Sequence, residues 1–261
     1  MKLWLKVFLS FKVCAAALWI LNDPHAALIV FFLPDPWVFL QFVLPKQQAF
    51  GPAATVFETP RREVWLTIDD GPDPETTPKV LELLHRHGAR ATFFVVGAQV
   101  EKYPELARQI VAEGHTIGNH THTHPSWSFW CAFPGRTAAE IDGCVGALLL
   151  ANAPFEHYFR PPVGVRNPFL AGELEARGML LVLWEARGLD GGRRAPAAAL
   201  RSIARQLRPG GIILSHESGV RPGQRLEFVA LLLAHLSNEG YACVIPERSS
   251  LRRSRTSLPD A

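Results

Sequence analysis

Val64-Trp65-Leu66-Thr67-Ile68-Asp69-Asp70-Gly71-Pro72 joins an apolar run to two adjacent carboxylates and a Gly-Pro bend. A short apolar run closed by such a bend reads as a buried strand. Two neighbouring acids repel each other, and burial strengthens the repulsion. The pair therefore requires a cation, an arginine or a shared proton elsewhere in the chain.

Working outward, short apolar runs alternate with amphipathic stretches from residue 63 on. The strand candidates are 64–68, 91–96, 115–118, 157–160, 180–185, 211–215 and 241–245. Helical patterns fall at about 77–87, 103–113, 137–150, 167–177, 196–207 and 224–238. Thr76-Thr77-Pro78 is a helix start, and Gly88, Gly114, Gly178, Gly210 and Gly240 stand where C-terminal caps belong. The alternation argues for α/β with a parallel sheet, as an irregular barrel or an open doubly wound sheet. No repeat is present, and no Gly-rich phosphate loop follows a strand, so nucleotide binding has no support.

The 261 residues suit one large domain or two small ones, and 48% hydrophobic with 20% charged residues describes a globular chain. A net charge of +3 is too small to point to nucleic acid. Cys14, Cys131, Cys144 and Cys243 form no C-x-x-C pair and read as small apolar residues. The tail, 248–261, carries Arg248, Arg252, Arg253 and Arg255 among serines and reads as disordered.

The first 46 residues differ from the rest. Residues 3–22 are apolar apart from Lys6, Lys12 and small polar residues; 26–45 are apolar but broken by Pro34-Asp35-Pro36. A bilayer span takes about 20 apolar residues. The expectation is a membrane anchor, either one span or a short hairpin partly in the interface, with a packed N-terminal extension as the alternative. Lys2, Lys6 and Lys12 favour a cytoplasmic N-terminus. The expected location is a bacterial inner membrane; one span puts the domain outside the cytoplasm, and a hairpin returns it inside. Residues 47–62 read as a linker.

Polar residues collect after the strand candidates: Asp69 and Asp70, then His120, His122 and His124, then Arg160, Asp190 and His216. Sites in parallel α/β folds assemble at strand C-termini. In Asn119-His120-Thr121-His122-Thr123-His124-Pro125, a helical turn would present His120 and His124 to one metal and turn His122 away. An extended strand would present all three. One Asp with two imidazoles suits zinc, cobalt, manganese or iron better than magnesium. The other Asp is then free to act as a base. Arg160 reads as a partner for the Asp pair, His216 as an imidazole acid, and Asp190 as its orienting partner.

These residues resemble the polysaccharide deacetylase family, the NodB homology domain of carbohydrate esterase family four, over about 62–247. Thr67-Ile68-Asp69-Asp70-Gly71 is similar to its T-F-D-D-G motif. His120-Thr121-His122-Thr123-His124 is similar to H-[ST]-x-x-H, Arg160-Pro161-Pro162-Val163-Gly164 to R-P-P-Y-G, and Leu214-Ser215-His216 to L-x-H. Ala91-Thr92-Phe93-Phe94 resembles the family's second strand. The resemblance implies a distorted (β/α) barrel of about seven parallel strands at 63–247. It implies Asp69 as general base, Asp70, His120 and His124 as metal ligands, and His216 as general acid. Arg160 would position Asp69, and Asp190 would tune His216. Val163, Pro162 and Leu214 would lie on the substrate side, with the Val163 N–H facing the oxyanion. The reaction implied is hydrolysis of an N-acyl amide on an amino-sugar glycan, in the envelope or on a lipid. A carbohydrate-binding pseudoenzyme and a hydrolase of another C–N bond or an ester are the competing classes. Trp127, Phe129, Trp130 and Phe133 follow the metal motif and either stack on sugar, touch lipid or pack on the rim.

The family's D-x-x-D-W motif is altered. In Trp184-Glu185-Ala186-Arg187-Gly188-Leu189-Asp190-Gly191, Arg187 replaces the first acid and Gly191 the aromatic wall of the acyl pocket, while Val163 replaces the usual Tyr. A wider acyl pocket is expected.

Overall fold

The computed structural model describes residues 3–43, 50–217 and 222–252. Its strands are β1 (Val56–Phe57), β2 (Glu63–Asp69), β3 (Ala91–Val95), β4 (Thr116–Asn119), β5 (Tyr158–Phe159), β6 (Leu180–Leu181), β7 (Ala186–Arg187), β8 (Ile212–His216), β9 (Ala242–Cys243) and β10 (Leu251–Arg252). Three helices, α1 (Leu3–Ile20), α2 (Pro24–Phe32) and α3 (Asp35–Val43), precede them. The others are α4 (Thr77–Arg86), α5 (Gly97–Lys102), α6 (Pro104–Ala112), α7 (Pro134–Leu150), α8 (Leu170–Ala176), α9 (Pro196–Ala204) and α10 (Pro222–Asn238).

The main sheet runs β6-β5-β4-β3-β2-β8-β7, with β9 also pairing β2. Every pairing within it is parallel. A curled, open parallel sheet of this kind is a distorted (β/α) barrel. β2 lies at its centre because both its faces are apolar. Val64, Leu66 and Ile68 face outward onto Val80, Leu81 and Leu84 of α4, while Trp65 packs inward with Phe94 and Tyr158. The period-2 alternation therefore sends Thr67 and Asp69 inward as well. Asp69 pairs in register with His216 of β8. Gly88, Gly114, Gly178, Gly210 and Gly240 all have positive φ, as capping residues should.

Three expectations need correction. The run 180–185 is a strand only at Leu180–Leu181 (β6), and the next strand, β7 at Ala186–Arg187, lies at the opposite end of the sheet. Between them, the Val182 and Leu183 carbonyls accept from the Arg160 guanidinium, and the Leu183 N–H donates to the Ala54 carbonyl. Those groups are thereby taken out of any continuous ladder. The expected linker and tail also contain structure: β1 and β10 pair antiparallel, and Arg252 bridges Glu58 at 2.8 Å. Residues 253–261 of the tail, and 44–49 at the junction of the apolar segment and linker, lie outside the described residues.

The third correction concerns the N-terminus. Among the described residues no helix is long and apolar enough to cross a membrane. The Asn22-Asp23-Pro24 and Pro34-Asp35-Pro36 breaks divide the segment into short helices, and Lys6 and Lys12 interrupt the first. Lys12 Nζ pairs with Asp35 Oδ1 at 2.7 Å and sits 3.8 Å from the centroid of the Phe31 ring. The four cysteines are unpaired; Cys144 and Cys243 are buried, whereas Cys14 and Cys131 are exposed.

Candidate active site

Asp69 and Asp70 part company at the end of β2. Asp69 continues the strand and points inward, whereas Asp70 turns out of it at φ 79. Arg160, just beyond β5, is fully buried. Its Nη1 donates to Asp69 Oδ1 and Thr67 Oγ1, both at 2.7 Å, and its Nε and Nη2 donate to the Val182 and Leu183 carbonyls at 3.1 Å. The guanidinium also lies 4.2 Å from the centroid of Phe94. Four hydrogen bonds and a ring fix this cation, so Asp69 is held through Oδ1 while Oδ2 remains oriented toward His120.

The histidine motif is neither a helical turn nor a strand. β4 ends at Asn119, and the chain then loops with Thr121 at φ 69 and His124 at φ 53. The outcome for the imidazoles matches the helical alternative. His120 Nε2 and His124 Nε2 lie 3.4 and 3.3 Å from Asp70 Oδ1. His122 turns away toward Glu101, seated against Gly97 and Gly143, where any Cβ would collide with its ring. His120 Nδ1 lies 2.8 Å from the Arg160 carbonyl. A carbonyl only accepts, so Nδ1 carries the proton and Nε2 presents its lone pair to the site. His124 Nδ1 lies 3.1 Å from Ser126 Oγ.

The donor atoms of Asp70, His120 and His124 all lie within 4.8 Å of one another. Burial pushes the Asp70 carboxyl up, but the His120 hydrogen bond and the charges of His216, His120 and His124 outweigh it and hold the group well below its ordinary value. Burial, then His120, lowers His124 to about 4 against the pull of Asp70 and Asp69. A neutral imidazole and an ionised carboxylate are the forms that bind a metal. One oxygen and two nitrogens, with tautomers set by outer hydrogen bonds, fit a zinc-type ion with open positions.

His216 ends β8 beside Asp69. Its backbone N–H donates to Asp190 Oδ2 at 2.9 Å, and its Nδ1 lies 3.2 Å from Asp190 Oδ1. This second contact is an ion pair. Burial disfavours the imidazolium, yet Asp190, with Asp70 and Asp69 behind it, raises His216 to about 9. Arg225 of α10 donates to the Gly191 carbonyl at 2.7 Å, steadying the segment that carries Asp190.

A cavity of about 270 Å³ opens between Asp69 and His216, with Val163, Trp184, Gly191 and Leu214 in its wall. Val163 is half exposed and sits at φ 50, a costly conformation for a β-branched residue. Pro162, beside it, is buried. Gly191 packs so closely on His216 that an added Cβ would lie 3.2 Å from the ring. The aromatic wall that the family motif places here is missing.

Several supporting residues gave no sequence signal. Glu140 accepts from the His122 N–H, the Thr123 N–H and Thr123 Oγ1, bracing the metal loop from α7. Asn119 Oδ1 accepts the Thr121 N–H, and Asn119 Nδ2 donates to the Ile141 carbonyl. Glu217 lies against Gly71, where a Cβ would fall 1.5 Å from Glu217 Oε1, and accepts from Thr77 Oγ1 at 2.7 Å. Burial raises Glu217 to about 8; the Thr77 hydrogen bond opposes this, and Asp73 and Asp70 add to it.

This sheet, with an Asp-His-His cluster and a buried Asp–Arg pair at its strand ends, is the frame of a carbohydrate deacetylase. The family model described as polysaccharide deacetylase matches residues 57–181. A chitooligosaccharide deacetylase of Bradyrhizobium sp. (strain ANU 289) is 37% identical over 164 residues, covering 62% of this chain and 74% of that protein. The solved Bc1960 peptidoglycan N-acetylglucosamine deacetylase superposes with a TM-score of 0.69 at 27% identity, over 77% of this chain and 94% of that one. A mutant of BA3943, described as a CE4 family pseudoenzyme with restored enzymatic activity, superposes at 0.65 and 26% identity, over 72% and 67%. The chain belongs to the polysaccharide deacetylase family. Asp190 and His216 lie beyond the residues that the family model matches.

Proposed function

We propose that this protein is a metal-dependent hydrolase that removes the N-acetyl or another small N-acyl group from an amino-sugar glycan. The carrying observation is that an Asp-His-His donor set, an Arg-held Asp69 and an Asp-held His216 meet at one cavity. When bound at Asp70, His120 and His124, a divalent ion, zinc by preference and otherwise cobalt, manganese or iron, supplies Lewis acidity toward the acyl carbonyl and an acidified water. Asp69 Oδ2 takes a proton from the attacking water, because Oδ1 is committed to Arg160. The Val163 N–H donates to the developing oxyanion. His216 delivers a proton to the departing amine from Nε2, since Nδ1 faces Asp190. Exposed Trp127, Trp130 and Phe133 beside the metal loop offer faces on which sugar rings stack.

The base and acid favour catalysis over carbohydrate binding alone, for which neither group is needed. The test uses purified, zinc-loaded protein on an array of N-acetylated glycans and lipid-linked sugars, with free amine as the readout. The wild type releases amine and Asp69→Asn does not. No release from any substrate would favour the pseudoenzyme; release of acid from ester substrates alone would favour the esterase. With Gly191 and Val163 in the wall, N-propionyl sugars are accepted alongside N-acetyl ones; strict acetyl preference would refute the wider pocket. We also propose that α1 to α3 seat the protein on a membrane surface. Ile20, Leu21 and Ile29 are among the strongly exposed apolar side chains, and Asp35 offsets the Lys12 charge.

A further inference from the structure

Arg187 stands in the altered D-x-x-D-W motif, in the wall of the same cavity as Asp69 and His216. Its direction follows from register. Arg187 pairs with Leu214, and Leu214 pairs with Thr67, which bonds to Arg160 inside the sheet. Ala186 and Ile213, the preceding pair, belong to the outer core beneath the helices. Arg187 therefore projects inward, on the face that carries Asp69 and His216.

Its backbone is anchored. The Arg187 carbonyl accepts from Ser202 Oγ and Gln206 Nε2, each at 3.1 Å. Its guanidinium lies 5.8 Å from the centroid of Trp184 and, among the described residues, makes no hydrogen bond or ion pair. The nearby acids are committed elsewhere: Asp69 to Arg160, Asp190 to His216, and Asp70 to the metal site. A partly buried guanidinium whose neighbours are already paired is an anion receptor, able to hold a carboxylate or phosphate through two parallel N–H donors.

We infer that Arg187 selects a saccharide bearing an anionic group, carboxylate or phosphate, close to the N-acyl group that is cleaved. This rests on the deacetylase function proposed above and narrows its substrate class. Arg187 touches substrate as a specificity residue and takes no part in bond making.

The experiment compares zinc-loaded wild type, Arg187→Ala and Arg187→Lys on three probes. These are neutral N,N′-diacetylchitobiose, N-acetylmuramic acid (carboxylate) and N-acetylglucosamine 1-phosphate, the two anions standing on the carbons that flank the one bearing the N-acetyl group. In the wild type at least one anionic probe exceeds the neutral one in kcat/KM, and which one does so tells carboxylate from phosphate. In Arg187→Ala that anionic-to-neutral ratio falls by about 10-fold or more, the scale of one lost charged hydrogen-bonding pair, and Arg187→Lys restores part of it. No anionic preference in the wild type, or a ratio unchanged in Arg187→Ala, overturns the inference. Should no probe release amine, the deacetylase function fails separately. Calorimetric binding of the two anionic sugars to wild type and Arg187→Ala then decides the Arg187 question. Far-UV circular dichroism of each variant shows that it is folded.

Discussion

His216 carries the clearest pH consequence among single residues. Its folded value of about 9 lies above the ordinary 6.5, so the proton that the proposed mechanism draws from it is present through neutral pH. The same shift means that the protonated ring stabilises the fold fully below pH 6.5, and that this contribution fades as pH rises through about 9. We expect kcat/KM to fall on the alkaline side near that value. In Asp190→Asn the limb should move toward about 6.5, because the carboxylate that most offsets the burial of the imidazolium is removed. A pH–rate profile of the two proteins checks this; coincident alkaline limbs would show that Asp190 does not set the imidazole. Gly71 makes a second test. Gly71→Ala drives a methyl into Glu217 Oε1 and should cost about 1–3 kcal/mol, as overpacking does. Shortening the clashing side chain with Glu217→Asp in the same protein should recover part of the urea midpoint. No recovery would place the cost in the backbone instead.

At the scale of elements, the metal loop between β4 and α7 depends on residues that the motif does not contain. Glu140 on α7 satisfies three donors of His122 and Thr123. Glu140→Ala should therefore cost about 1–3 kcal/mol for each donor left unmet and weaken zinc binding roughly 10–100-fold, as loss of an outer-shell partner does. Chelator competition and urea denaturation measure the two effects; unchanged zinc affinity would reduce Glu140 to a fold-stability role. Spacing left open whether His122 joins His120 and His124, and the loop geometry was not legible at all. The left-handed residues Thr121 and His124 take local bonds to Asn119 Oδ1 and Thr121 Oγ1, but the His122-Thr123 stretch between them is held by Glu140, 17 and 18 positions away, and local propensity carries no trace of that. The strand run 180–185 failed for a related reason. Arg160 competes for the carbonyls that would have extended the ladder, and such competition exists only after the sheet has formed.

For the whole molecule, the apolar N-terminus poses the remaining test. The segment from α1 to α3 exposes Val13, Ile20, Leu21 and Ile29, and a Lys12–Asp35 pair ties α1 to α3. Seating on a membrane predicts that full-length protein co-sediments with vesicles of mixed phosphatidylglycerol and phosphatidylethanolamine. A chain starting at residue 50 should stay in the supernatant with its deacetylase activity intact. Equal sedimentation of both would sink the surface-anchor proposal. By itself the sequence determined the alternation of strand and helix, the gathering of Asp69, Asp70, His120, His124, Arg160 and His216 at strand ends, and the presence there of residue types able to hold a metal. Periodicity and residue type carry those directly. Only the tertiary structure decided which oxygen of Asp69 is free, which imidazole turns away, that β10 pairs β1, and that Arg187 faces the cavity with, among the described residues, no hydrogen bond or ion pair on its guanidinium. Each of these is settled by contacts between residues far apart in the chain, through hydrogen-bond competition and sheet register that no local stretch encodes.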